Sequence, residues 1–120
     1  MSLYAELGGD EAIALALDRF YEKVLADPQV GRFFDRVDVD RVKQRQRSFL
    51  AMAFGGPDEY DGRDLRRAHA APRALGLDEE RYEVFMGHFR DTLGELGVDG
   101  ERIERVMAIA DTGKDDVLGR

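Results

Sequence analysis

The chain contains neither cysteine nor tryptophan. Absent cysteine excludes disulfides, thiolate catalysis, iron–sulfur clusters and cysteine-based zinc sites. Proline occurs three times, as Pro28, Pro57 and Pro72, which leaves long stretches free to be helical. Hydroxyl side chains are scarce. Ser2, Ser48, Thr92 and Thr112 lie far apart and offer no nucleophile or triad. Net positive charge is lacking too: the formal charge is −7, which argues against non-specific binding of nucleic acid. No apolar run approaches the length of a membrane span, so none is expected. Met1-Ser2-Leu3-Tyr4-Ala5-Glu6 has no basic region ahead of an apolar run and does not resemble a signal peptide. Together these absences make cytoplasmic residence the expectation. No stretch alternates apolar and polar residues at period two, so strands are not expected.

What remains is helical. Apolar residues make up 43% of the 120 residues and charged residues 36%. That suits a single domain over residues 1–120, long enough to bury roughly two-thirds of its unfolded surface. Ser2 starts a short turn that Gly8-Gly9 stops. Asp10 is the expected cap of a helix over residues 10–26, with Ile13, Leu17, Phe20, Tyr21, Val24 and Leu25 as its apolar stripe. Asp27-Pro28 ends it. An aromatic turn, Val30-Gly31-Arg32-Phe33-Phe34, follows. Asp38 or Asp40 caps a helix to about residue 54, with Val39, Val42, Gln46, Phe49, Leu50 and Ala53 on one face. Gly55-Gly56-Pro57 breaks the chain and an irregular loop leads to Gly62. Asp78 caps a long helix over residues 78–96, striped by Tyr82, Phe85, Met86, Phe89, Leu93 and Leu96. A turn over residues 97–100 precedes a last helix, 101–110, with Ile103, Val106, Met107 and Ala110. Residues 111–120 are polar and are expected to fray.

Polar residues in odd places carry whatever chemistry the chain has. Tyr21 and Gln46 fall on apolar stripes. A buried amide left unpaired costs roughly 1–3 kcal/mol, so Gln46 needs a partner, and the Tyr21 phenol can be one. A structural Tyr–Gln hydrogen bond in a helical core is one account of the pair. His69 ends the run Gly62-Arg63-Asp64-Leu65-Arg66-Arg67-Ala68-His69-Ala70-Ala71, a short helix with a narrow apolar edge of Leu65 and Ala68. It is either a surface histidine or a ligand to a buried metal, and the run alone does not separate these. His88 sits beside the stripe of the long helix, between Phe85 and Phe89, where a hydrogen-bonded boundary histidine is the plainer role. A zinc site built from His69 and His88 lacks the further ligands it needs. Arg41, Lys43, Arg45 and Arg47 form a solvated basic face, one member of which could reach an anionic group. Gly55-Gly56-Pro57 has neither the spacing nor the lysine of a phosphate loop.

In order along the chain, Leu3-Tyr4-Ala5-Glu6-Leu7-Gly8-Gly9 with Ala12-Ile13, Phe20-Tyr21 with Val24-Leu25-Ala26-Asp27, Phe33-Phe34, Gln46, Gly55-Gly56-Pro57 with Tyr60 and Gly62, Ala68-His69 and Gly87-His88-Phe89 resemble the truncated haemoglobin family, group I. The resemblance runs from Leu3 to about Ala110. It implies an all-α fold, the truncated globin, in which a two-over-two helical sandwich surrounds haem b. His69 matches the family's proximal histidine, the iron ligand. Tyr21 and Gln46 match the distal pair that hydrogen-bonds dioxygen at the iron. Phe34 matches the phenylalanine that packs on the haem, and Arg45 a basic residue that can reach a propionate. Val42 stands where many globins have a distal histidine, so none is expected. Phe33, Leu50 and Tyr60 are the further expected haem contacts. His88 matches a common second histidine that is not the ligand. The function so implied is reversible dioxygen binding, with conversion of nitric oxide to nitrate by a nitric oxide dioxygenase served by a separate electron-donating reductase. A gas carrier or sensor without turnover is the alternative.

Overall fold

The structure is a computed structural model, and it describes residues 2–56 and 73–118. Helix α1 (Leu3–Leu7) begins where the Ser2 hydroxyl accepts the Ala5 N–H at 3.2 Å, and ends at Gly8, whose φ of 107° only glycine adopts readily. Helix α2 (Gly9–Ala26) follows with Gly8 alone between the two helices. Gly8, not Asp10, therefore occupies its N-cap position, and no side chain caps it. The two consecutive left-handed glycines turn the chain so tightly that Asp10 already lies in the first turn. There its carboxylate still faces the positive end of the helix dipole. Ile13, Leu17, Phe20, Tyr21 and Val24 are buried as expected, but Leu25 is 49% exposed. Val24 takes the inward position at that level and is fully buried, and the next residue is turned away from it.

Asp27 closes α2, its N–H bonding the Val24 carbonyl. A 3-10 turn (Gly31–Phe34) leads to α3 (Val39–Ala53). Asp38, rather than Asp40, caps α3 by accepting the Arg41 N–H at 3.3 Å. The α3 end is tied back to α1 by the Tyr4 N–H, which donates to the Phe54 carbonyl at 2.9 Å. Asp78 caps α4 (Glu79–Glu95) and Asp99 caps α5 (Gly100–Ala110), each accepting an N–H three residues on. The last helix thus starts one residue earlier than the sequence suggests, because Asp99 is a better cap than a glycine turn. Beyond it, a 3-10 turn (Asp111–Gly113) and α6 (Lys114–Leu118) stand where fraying was expected.

Helix α2 packs on α3 and α4 packs on α5. The two pairs then cross, α2 on α4 and α3 on α5. This is the two-over-two helical sandwich, and no strand occurs among the described residues. Its centre holds Leu17, Phe20, Val24, Phe89, Leu93 and Val106. Each fully buried aliphatic or aromatic side chain of this kind contributes roughly 1.5–3 kcal/mol. Thr92, fully buried among them, spends its hydroxyl locally on the His88 carbonyl at 2.8 Å.

Candidate functional site

The crossing of α2 and α3 brings together two polar side chains that are 25 residues apart in sequence. The Tyr21 hydroxyl donates to Gln46 Oε1 at 2.6 Å. Tyr21 is 1% exposed and Gln46 is half-buried. Aromatic edges hold the phenol ring on two sides, with Phe20 centred 5.0 Å and Phe34 5.4 Å away, both near perpendicular. Lys43 Nζ stands 6.0 Å over the ring and pairs with Asp18 at 3.1 Å. Burial pushes the Tyr21 phenol far above the ordinary tyrosine range, against a weaker opposing pull from Gln46. The hydroxyl therefore keeps its proton at any physiological pH.

Phe34, half-buried, lies edge-on to Tyr21 and 6.1 Å from the ring of Phe85 on α4. Phe33 is buried behind it, 6.0 Å from the same Phe85 ring and under the Arg32 guanidinium at 5.1 Å. Val42 is half-buried one helical turn before Gln46, on the same face of α3. Leu50 is buried one turn after it, within the main core. Arg45 is exposed at the helix edge. His69 and Tyr60, with the arginines flanking His69, lie outside the described residues. Among the described residues no cluster of three or more metal-ligating side chains occurs. His88 has the hydrogen-bonded boundary role expected of it, its Nε2 lying 2.7 Å from Asp27 Oδ2.

Two participants went unrecognised in the sequence. By period Phe85 is one more stripe residue, yet it is the ring that both Phe33 and Phe34 meet. Asp27 was read as a helix stop only. An acid at a helix C-terminus opposes the dipole, and that mismatch was a signal that a compensating partner exists.

Whether the site suits haem turns on donors and shape. Tyr21 and Gln46 together carry three polar hydrogens, of which their mutual bond uses one. A donor is left over whichever way the amide is turned, and it sits beside apolar Val42 and Phe34. Half-buried Val42, Phe34, Phe85 and Met86 present apolar faces that suit a flat apolar group. The residues present fit the group.

Comparison with known proteins agrees. Residues 2–118 match the family model described as bacterial-like globin. A group 1 truncated haemoglobin of Chlamydomonas moewusii is 42% identical over 98% of this chain and 68% of its own length. One from Synechocystis is 41% identical over 99% of this chain and 98% of its own. Among solved structures, the 2/2 haemoglobin of Synechococcus in its cyanomet state, with covalently attached heme, superposes with a TM-score of 0.94 at 40% identity, covering 100% of both chains. The Fe(III) truncated haemoglobin of Tetrahymena pyriformis gives 0.90 at 33% identity, again over 100% of both. The chain belongs to the bacterial-like globins and, within them, to the group 1 truncated haemoglobins, a family that binds haem and diatomic gases.

Proposed function

We propose that this chain binds haem b, holds dioxygen reversibly and, with electrons from a separate reductase in the cytoplasm, converts nitric oxide to nitrate. The observation that carries the reading is the buried Tyr21–Gln46 hydrogen bond at 2.6 Å, with its unspent donor beside an apolar slot. His69 is the side chain proposed to hold the iron. Phe34, Val42, Phe33, Leu50 and Tyr60 are proposed to flank the macrocycle, and Arg45 to meet a propionate. Bound there, the haem would supply gas coordination and the one-electron chemistry that nitrate formation needs.

The chain's own residues supply orientation and polarity. Tyr21 keeps a proton at Oη because burial forbids the phenolate. In one amide orientation Tyr21 donates to Gln46, and the amide N–H groups remain for a ligand. In the other, Gln46 donates to Tyr21 and frees the phenolic proton. The pair can thus offer a donor to an electron-rich oxygen while leaving neither partner unsatisfied. Phe34 and Phe85 exclude water from one side, which strengthens that bond.

Absorption spectra of purified protein reconstituted with haem test the assignment. A Soret band is expected, and it should change with His69→Ala. No band, or an unchanged one, would refute it. Mixing the reduced, dioxygen-equilibrated protein with nitric oxide should give fast stoichiometric nitrate. Its absence would favour carriage or sensing without turnover.

A further inference from the structure

The turn between α2 and the 3-10 segment is held in an uneven way. Asp27 organises it. Its carbonyl accepts the N–H groups of Val30 at 3.2 Å and Gly31 at 2.8 Å, and its Oδ1 accepts that of Gln29 at 2.8 Å. A surface groove of about 450 Å³ runs along this turn, lined among others by Leu25, Pro28 and Phe34. The turn is anchored in the core by fully buried Val30, and further contacts reach it from α4. Phe85 meets Phe33 and Phe34, and one helical turn later His88 meets Asp27 Oδ2 at 2.7 Å. Phe85 and His88 are three residues apart and so share a face. The His88 contact, the largest influence on it, holds the Asp27 carboxyl below the usual carboxylate range.

We propose that His88 is a positioning residue for the gas site: through Asp27 it fixes the turn that carries Phe34, and so sets the aromatic wall against which Tyr21 stands. The path is short and continuous. His88 holds Asp27, Asp27 shapes residues 28–31, and the 3-10 turn then delivers Phe34 edge-on to Tyr21 at 5.4 Å. The turn borders this groove, so with Val30 still anchored its Phe34 end has room to shift once the hold from α4 is lost. Phe34 would then move with it, and Tyr21 would gain freedom to turn away from Gln46. His88 itself touches neither haem nor gas in this scheme. The consequence for gas binding rests on the function proposed above; the consequence for Phe34 and Tyr21 does not.

The test uses the haem-loaded protein with carbon monoxide bound, and the variants His88→Leu, His88→Gln and Asp27→Asn. The readouts are the ring resonances of Phe34 and Tyr21 by NMR, the carbon monoxide stretching frequency and the dioxygen release rate. His88→Leu should shift both sets of ring resonances, broaden or move the stretching band and change dioxygen release several-fold. His88→Gln keeps an N–H donor for Asp27 and should restore most of each signal. Asp27→Asn retains the acceptor for Gln29 but loses the charge, and should move the same resonances in the same direction. That variant decides the matter if His88→Leu does not fold. Unchanged Phe34 and Tyr21 resonances in a folded variant would overturn the proposal. So would a loss of stability that leaves both rings in place, since the bridge would then be only a staple. If no haem binds at all, the function fails instead, and the ring resonances of the haem-free variants still decide the role of His88.

Discussion

Under the proposed function, Tyr21 concentrates the chemistry of this chain in one hydroxyl. Its removal would then take away one hydrogen bond to the ligand, and it leaves half-buried Gln46 without the Tyr21 partner. Tyr21→Phe should therefore speed dioxygen release by roughly tenfold or more, the scale of one well-placed bond. Stopped-flow displacement of dioxygen checks this, and an unchanged off-rate would remove Tyr21 from the site. Burial also gives Tyr21 a signature at alkaline pH. Its phenol, like that of Tyr82 beside Asp111, is held well above the ordinary tyrosine value of about 10, chiefly by desolvation. Below pH 10 both states of the chain keep these protons, and folding is indifferent to pH through them. Above it the unfolded chain loses protons that the folded one retains, so stability must fall as pH rises. Denaturation midpoints measured from pH 9 to 11.5 should decline, and Tyr21→Phe should decline less steeply. Residues of this kind were legible in the sequence because a polar group on an apolar stripe is visible by period alone. The pairing of Asp27 with His88 was not, because 61 residues separate them and only the crossing of α2 and α4 makes them neighbours.

At the scale of elements, the helices were legible where their caps are side chains and less so where they are backbone. Asp78 and Asp38 stand one residue ahead of their helices, as their chemistry requires. Asp10 was misplaced because the junction of α1 and α2 is set by two glycines with positive φ, a conformation that no pattern of apolar residues announces. The cap at Asp78 makes a quantitative prediction. It accepts the Arg81 N–H at 3.0 Å, and Asp78→Ala should cost about 1 kcal/mol in denaturant unfolding. A larger effect is expected at the α1–α3 junction. A Cβ at Gly56 would come within 2.6 Å of the Tyr4 ring, at the ring's attachment point, where rotation cannot relieve it. Gly56→Ala should therefore destabilise by about 1–3 kcal/mol through overpacking, prising α1 from the end of α3. Combining it with Tyr4→Ala removes the clash, so the double variant should recover part of the loss. If Gly56→Ala were neutral alone, the close approach of ring and backbone would be wrong.

Seen whole, the described fold is closed by α6, whose contacts composition does not announce. Asp111, Lys114 and Asp115 look like solvent-exposed tail by composition, and composition carries no information about what lies across the fold. The structure places partners there. Lys114 Nζ reaches Glu79 at 2.9 Å and Glu83 at 3.1 Å and lies 5.3 Å over the Tyr82 ring. Tyr82 donates to Asp111 at 2.7 Å, and Arg73 Nη1 donates to the Val117 carbonyl at 3.0 Å. Val117 and Leu118 pack on the core from α6. Ion pairs with exposed partners are worth little singly because solvent screens them, so Lys114→Ala should lower the denaturation midpoint only slightly. Deleting residues 114–120 should cost more, because Val117 and Leu118 each lose part of the roughly 1.5–3 kcal/mol that burial of such side chains provides. The deletion should also uncover Tyr82 and take the Val117 carbonyl from Arg73, which follows His69 by four positions in sequence. If His69 holds the iron, transfer of haem to a scavenging protein should then be faster in the deletion than in Lys114→Ala. Equal haem loss in the two variants would show that α6 stabilises α4 alone and has no hold on the segment before it.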